Sequence, residues 1–230
     1  MLYSFCLLVV FFFLYSFLGY LIEVISVSRI EHKIELSRGY LIGPYLPIFG
    51  FGAICMILLL SKYKDDLFAL FVLSMTICCL LEYFTSLVME NIFHLRWWDY
   101  SNKKFNINGR VCLENGIFFG LAGVFLIQWF HPFIEKILLS LTKNFIIGLG
   151  ITLFIIILVD FIISTYMVLR LHINYVSISG DATKIIRKEV IQSLEKYQFF
   201  LRRYLKSYPY FLKNGRMAKI KNLLDNVKNK

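Results

Sequence analysis

The sequence predicts an all-α membrane protein: a polytopic bundle of about five transmembrane helices, followed by an amphipathic helical tail in the cytoplasm. Hydrophobic residues make up 58% of the 230 residues and charged residues only 17%. A soluble domain carries roughly 45–50% apolar and about 25% charged residues. The apolar residues also form continuous runs that can cross a hydrocarbon core of roughly 30 Å as helix. The solvent around this chain must therefore be lipid.

Each predicted span is a continuous apolar run, which favours helix over the alternating strands of a barrel. The five runs are Leu2–Val27, Leu41–Leu60, Leu67–Ile92, Val111–Phe130 and Phe145–Leu169. The first run has no basic residue before it and no small-residue cleavage site, so we expect a retained span and not a signal peptide. The bundle is assigned to residues 1–170 and the tail to residues 171–230.

The distribution of basic residues predicts a multi-pass protein of the plasma membrane with its N-terminus outside and its C-terminus in the cytoplasm. Lys and Arg are enriched in cytoplasmic loops. In this orientation seven loop cations lie in the cytoplasm together with the 14 basic residues from Arg170 onward, whereas four loop cations lie outside.

The tail is predicted to be an amphipathic helix. Apolar residues recur at intervals of three or four from Ile186 to Tyr208, after the expected cap Asp181 and before Pro209. Two interpretations stay open: a helix that contacts anionic lipid or a cytoplasmic partner, or a solvated basic tail with modest lipid contact. A basic segment beside lipid is not typical of nucleic-acid binding.

Acidic residues inside the apolar spans are the first candidates for function, because carboxylates are costly in lipid. Glu82, Ser86 and Glu90 are four residues apart, so they share one face of the third helix. We expect this face to look into the bundle or into an acid-lined cavity that opens to the cytoplasm. The complete candidate set for contact with a substrate or ion is Glu23, Glu82, Ser86, Glu90, Asp160, Arg38, Arg96, Asp99 and Arg110. The alternative is that these acids and arginines only clamp loops onto helix ends.

Two cytoplasmic loops have patterns typical of ordered structure. The first is predicted to interrupt the second span, because glycine and proline break helices; its residues are Gly39, Gly43, Pro44, Pro47 and Gly50. Such breaks are tolerated where they are buried or line a cavity, as in transporters. The alternative is a helix that starts late, with Pro44 in its first turn.

The second ordered loop extends from Arg96 to Arg110. Trp97 and Trp98 fit the aromatic belt at a membrane interface, and Asn108-Gly109 is a strong turn signal. We therefore expect a compact, hydrogen-bonded loop. The span that follows carries three glycines that allow close helix packing, Gly116, Gly120 and Gly123.

Neither a cofactor nor a metal site is predicted. The five cysteines show no CxxC spacing, and four of them lie in apolar segments. The sequence contains no Gly-x-x-x-x-Gly-Lys-Ser/Thr phosphate loop, so this chain does not hydrolyse ATP by that motif.

Several motifs, in the same order, resemble the bacterial membrane family called Putative ABC-transporter type IV. They are Tyr15–Glu23, Arg38–Gly52, Leu81–Glu90, Arg96–Ser101 and Asn108–Leu113. The family usually has Trp at the position of Tyr20, and Phe and Tyr are exchanged at Tyr40 and Phe49. The resemblance implies a permease subunit that works with a separate ATP-binding subunit and pairs with itself or another membrane subunit. The resemblance implies no catalytic residues.

Three functions are therefore weighed, of which we favour a transporter subunit. The second is a membrane-embedded enzyme for a lipid-like substrate, with Glu82 or Glu23 as general acid or base and arginines that hold phosphate or carboxylate. No nucleophile–base pair is visible in the sequence, which counts against it. The third is a scaffold or regulator without catalysis, docked through its tail.

Overall fold

The computed structural model describes residues 1–31, 39–93 and 98–178. In these ranges the chain is mostly helical. The helices are α1 (Leu2–Glu31), α2 (Pro47–Leu60), α3 (Leu67–Phe93), α4 (Leu113–Phe125), α5 (His131–Leu139) and α6 (Lys143–Ile178). A 3₁₀ turn, Ser61–Tyr63, follows α2, and a π-helical turn, Leu126–Phe130, joins α4 to α5. Strands β1 (Asn106–Ile107) and β2 (Val111–Cys112) form an antiparallel hairpin.

Four helices are long and apolar enough to cross a membrane, which agrees with a multi-pass membrane protein. They are Leu2–Ser26, Leu67–Ile92, Leu113–Leu139 and Lys143–Tyr166. A shorter apolar helix, Pro47–Tyr63, lies between the first and second of these. Several predicted features lie outside the described residues, namely Arg38, Arg96, Trp97 and the tail from residue 179 onward.

The predicted second span, Leu41–Leu60, is helical only from Pro47. Pro47 stands in the first helical turn, where its missing N–H costs nothing. Residues 39–46 are irregular, and Gly39 has a φ of +92°, a conformation that side chains with a Cβ rarely adopt. A late start was one of the two alternatives, but it occurs at Pro47 and not at Pro44.

The predicted fourth span, Val111–Phe130, has different limits in the structure. Its first two residues form β2, and the helical chain continues through the π turn to Leu139. Pro132 explains the π turn, because it has no N–H to donate to the carbonyl of Gln128. The preceding N–H, of His131, bonds instead to the Leu126 carbonyl five residues earlier.

Helix α1 lies between α2 and α6. Gly50 of α2 lies against Ser16, and Gly150 of α6 lies against Cys6, so both neighbours approach the α1 backbone closely. Phe11 and Tyr15 belong to the core that these helices share. The outward sides of the helices carry large exposed apolar side chains, as expected for surfaces in lipid.

Helices α3 and α4 pack through the three predicted glycines. A Cβ at Gly116 would lie 3.2 Å from the Cys79 sulfur, Gly120 lies against the Phe71 ring, and Gly123 lies against Ser74. This confirms the predicted close packing. Gly116 meets Cys79, whereas Gly120, one turn later in α4, meets Phe71, about two turns earlier in α3, so the two helices are antiparallel. Residues 39–46, the hairpin and the C-terminal half of α3 therefore lie at one end of the bundle, which we call the hairpin end.

Candidate functional site

The hairpin covers the polar face of α3. The Tyr100 hydroxyl donates a hydrogen bond of 2.9 Å to Oε1 of Glu82. Nη1 of Arg110 donates to Oγ of Ser86 at 3.0 Å, and Nη2 of Arg110 lies 2.7 Å from Oε2 of Glu90. Glu82, Ser86 and Glu90 thus face the same segment, as their spacing predicts, and that segment supplies both a phenol and a guanidinium.

The hairpin takes its shape from its turn. Asn108 and Gly109 both have positive φ, +53° and +67°, as in the type I′ turns that join antiparallel strands. The Arg110 N–H bonds to the Ile107 carbonyl at 3.0 Å, and Nε1 of Trp98 donates to the Arg110 carbonyl at 2.9 Å. The loop is compact and hydrogen-bonded, as predicted, and Trp98 fixes the position of Arg110.

Asp99 and Asn106 organise the segment before the turn. Oδ1 of Asp99 accepts from the Ser101 N–H at 2.9 Å, which closes a local turn. Oδ1 of Asn106 accepts from the Gly109 N–H at 3.0 Å, and its Nδ2 donates to the Lys103 carbonyl at 2.8 Å. The described contacts of Asp99 therefore lie within the loop.

Glu82 is the most unusual side chain of this end. It is only 6% exposed, and its Oε2 atom has no hydrogen-bond partner among the described residues. The half-buried Glu23 of α1 lies close enough to Glu82 for the two carboxyl groups to interact electrostatically. The pKa of the Tyr100 phenol is raised above its ordinary value, first by burial and then by the nearby carboxyl groups of Glu82 and Glu23. Tyr100 therefore stays protonated and donates its hydrogen bond to Glu82.

Arg110 does not neutralise Glu82, because its guanidinium is engaged elsewhere. It bonds to Ser86 and Glu90 and lies 5.8 Å from the centroid of the Tyr83 ring. The Tyr83 hydroxyl in turn accepts from Nδ2 of Asn108 at 3.0 Å.

At the surface, Nζ of Lys103 pairs with Glu114 at 2.8 Å, which raises the pKa of Lys103.

Asp160 belongs to a second group of contacts, with residues 39–46. Its Oδ1 atom accepts from the N–H of Ile42 and from Oγ of Ser164, each at 2.9 Å. Its Oδ2 atom accepts from the N–H of Gly43 at 2.7 Å and from the Tyr45 hydroxyl at 2.6 Å. A carboxylate has about four lone-pair positions, so these four donors account for all of them.

Within residues 39–46, Leu41, Tyr45 and Leu46 are buried, and two further polar groups of the segment have partners. The Leu46 N–H bonds to the carbonyl of Ser16, near the middle of α1, at 2.9 Å. The Tyr40 hydroxyl donates to Oγ1 of Thr165 at 2.6 Å. Irregular backbone at this depth needs such partners, because lipid supplies none. The predicted break in the second span is therefore held mainly by one helix, α6.

Among the described residues, four side chains that contact a sequence candidate were not themselves candidates: Tyr45, Tyr83, Tyr100 and Ser164. Ser164 could have been found, since it follows Asp160 by one helical turn, the spacing that links Glu82 to Ser86. The three tyrosines gave no such signal, because aromatic residues are abundant throughout the sequence. In the ranges that the structure describes, no group of three or more His, Cys, Asp or Glu side chains could hold a metal ion.

Comparison with known proteins identifies the family. A family model described as Putative ABC-transporter type IV matches residues 10–165, which include both groups of polar contacts. No curated protein and no solved structure matches the sequence. Because the family model covers more than half of the chain, this protein belongs to the Putative ABC-transporter type IV family.

Proposed function

We propose that this chain is the membrane-embedded permease subunit of an ABC transporter and that a separate subunit hydrolyses ATP. The family and the four long apolar helices support this proposal, as does the lack of a phosphate loop in the sequence. The hairpin end faces the cytoplasm, where the ATP-binding subunit docks on the loops or on the basic tail. Pairing with a second membrane subunit, identical or different, completes the transport pathway.

One observation carries the assignment of the site: the partly unsatisfied carboxyl group of Glu82. A buried acid in a membrane helix is expensive unless it is paired or used. Glu82 lies at the deep end of the polar face of α3, with Glu23 nearby, and one of its oxygens has no partner among the described residues. We therefore assign to Glu82 and Glu23 the contact with the transported solute or a coupled ion.

The other candidates position this contact. Arg110 holds the hairpin against α3 through Ser86 and Glu90, and Asp160 holds residues 39–46 in the bundle. Arg38 and Arg96 lie outside the described residues, so their contact with a substrate or ion stays a prediction from the sequence.

A comparison of small-molecule contents in matched cell lines tests this function. Cells lacking the chain are supplied with the parent, with Glu82→Gln or with Glu114→Gln, at equal amounts of membrane-inserted protein. Glu114 is a suitable control, because its pair with Lys103 lies at the surface. We expect a solute whose level depends on the parent, is retained with Glu114→Gln and is lost with Glu82→Gln. Equal solute levels with the parent and Glu82→Gln would refute the assignment of the site.

A further inference from the structure

The two oxygens of the Glu82 carboxyl group have different surroundings. Oε1 accepts the Tyr100 hydrogen bond, whereas Oε2 is buried and has no partner among the described residues. The side chain as a whole is 94% shielded, since its exposed fraction is 6%. One polar atom inside the bundle thus has room for a ligand that the described residues do not supply.

Among the residues that the structure describes, the titratable groups that interact with this carboxyl carry no positive charge. They are Glu23 from α1, Tyr100 from the hairpin segment, and Cys78 and Cys79 from α3. Arg110 is committed to Ser86 and Glu90, and Lys103 is committed to Glu114. Among the described residues, the ionised form of Glu82 would therefore be a buried charge with a single hydrogen bond, which is an unfavourable state.

A proton fits this place better than a metal ion. Calcium or magnesium needs about six oxygen ligands, and the described residues offer no group of three metal-binding side chains. A proton needs only one carboxylate oxygen, and its binding removes the buried charge.

We propose that Glu82 is a proton-binding site that exchanges its proton with cytoplasmic water. The Oε2 atom gains the proton and the carboxylate becomes a neutral acid; on release the proton returns to water. Tyr100 keeps its own proton in both states and donates to Oε1. This inference rests on the proposed function for its cytoplasmic direction, and it names the coupled ion as a proton.

Infrared titration of the purified full-length chain in lipid nanodiscs measures this proton without any transport assay. The carbonyl band of a protonated carboxylic acid is followed as the pH rises, in the parent, Glu82→Gln and the control Glu114→Gln. We expect one acid band in the parent at a pH near 6, where exposed glutamates, with a pKa of about 4.3, are ionised. The band should remain in Glu114→Gln and be missing in Glu82→Gln.

Two further variants, Tyr100→Phe and Glu82→Asp, extend the infrared titration. In Tyr100→Phe the acid band should persist to higher pH, because the hydrogen bond that favours the ionised form is gone. If Glu82→Gln fails to fold, Glu82→Asp should move the band in frequency without removing it. An unchanged band in Glu82→Gln, or a band that disappears on addition of sodium chloride but not of choline chloride, would overturn the proposal.

The outcome also separates this inference from the proposed function. A Glu82 acid band together with unchanged solute levels would leave the proton site in place and remove the transport role. Solute levels that depend on Glu82, without an acid band, would support transport and refute proton binding.

Discussion

At the scale of single residues, the structure shows charged side chains that bond to other parts of the protein and one carboxyl group, that of Glu82, with an oxygen that has no described partner. Most of the described side-chain contacts of Arg110 and Asp160 join them to residues 20 or more positions away in the sequence. Glu82 has one oxygen engaged and one without a partner in the described part of the chain. This difference is why we assign stability to the first two and ligand contact to the third.

The first prediction concerns Arg110, which is 8% exposed. Arg110→Met removes the bonds to Ser86 and Glu90 together, and we expect a loss of roughly 1.5–3 kcal/mol of unfolding free energy, the range for hydrogen bonds to charged groups. Lys103→Met is the matched control. Its ion pair with Glu114 is half exposed, so its loss should leave the free energy of unfolding almost unchanged. Unfolding in mild detergent measures both, and equal losses would contradict our account of Arg110.

The second prediction concerns Asp160. Asp160→Asn keeps the size but leaves one acceptor oxygen for the four donors that Asp160 now receives. We expect faster hydrogen–deuterium exchange over residues 39–46, most of all at Ile42 and Gly43, whose amides bond to Asp160. Tyr45→Phe removes only one of the four bonds and should have a smaller effect. Exchange at the parent rate in Asp160→Asn would show that the segment is held by other contacts.

At the scale of elements, the helices were predictable and their interruptions were less so. Apolar runs of about 20 residues fixed four spans, since lipid requires helix there. The structure differs in the second run, where Pro47 and not Pro44 begins the helix. It also differs in the fourth, where Pro132 is accommodated by a π turn. Proline indicates where a helix is interrupted, but the tertiary contacts of the neighbouring residues determine the local backbone conformation.

The third prediction compares two glycines in helices. A Cβ at Gly123 would meet the Cβ of Ser74, an atom that no side-chain rotation can move, whereas a Cβ at Gly148 has nothing within 4 Å. Gly123→Ala should therefore destabilise the protein by about 1–3 kcal/mol, the usual cost of overpacking. Gly148→Ala should be neutral or stabilising by up to about 1 kcal/mol, because alanine favours helix. Thermal unfolding in detergent distinguishes them, and equal midpoints would contradict the α3–α4 packing.

At the scale of the whole molecule, the sequence predicted which residues share a face but not which segment meets that face. Helical spacing placed Glu82, Ser86 and Glu90 together, and the turn signal Asn108-Gly109 predicted a compact loop. The partners Tyr100 and Tyr45 were not predicted. They reach Glu82 and Asp160 across 18 and 115 residues, and tertiary packing alone brings such distant positions together. Among the described candidates, Glu82, Ser86, Glu90 and Arg110 belong to one group of contacts, whereas Asp160 belongs to another.

The fourth prediction is the orientation of the bundle. The excess of basic loop residues predicts that the hairpin end lies in the cytoplasm. An engineered cysteine at Lys64 should therefore react with a membrane-impermeant thiol reagent added to intact cells, whereas one at Lys103 should react only after the membrane is opened. Both side chains are exposed in the structure, so neither result depends on burial. The reverse pattern would contradict the proposed topology and would also contradict a cavity that opens to the cytoplasm.

The proposed function depends most on a partner that supplies ATP hydrolysis. The most direct measurement is purification of the chain from its native membranes in mild detergent, with identification of the chains that co-purify and an assay of ATP hydrolysis. The account predicts an ATP-binding chain in fixed proportion to this one and ATPase activity in the purified complex. A well-behaved assembly of this chain alone, without ATP hydrolysis, would contradict the permease assignment.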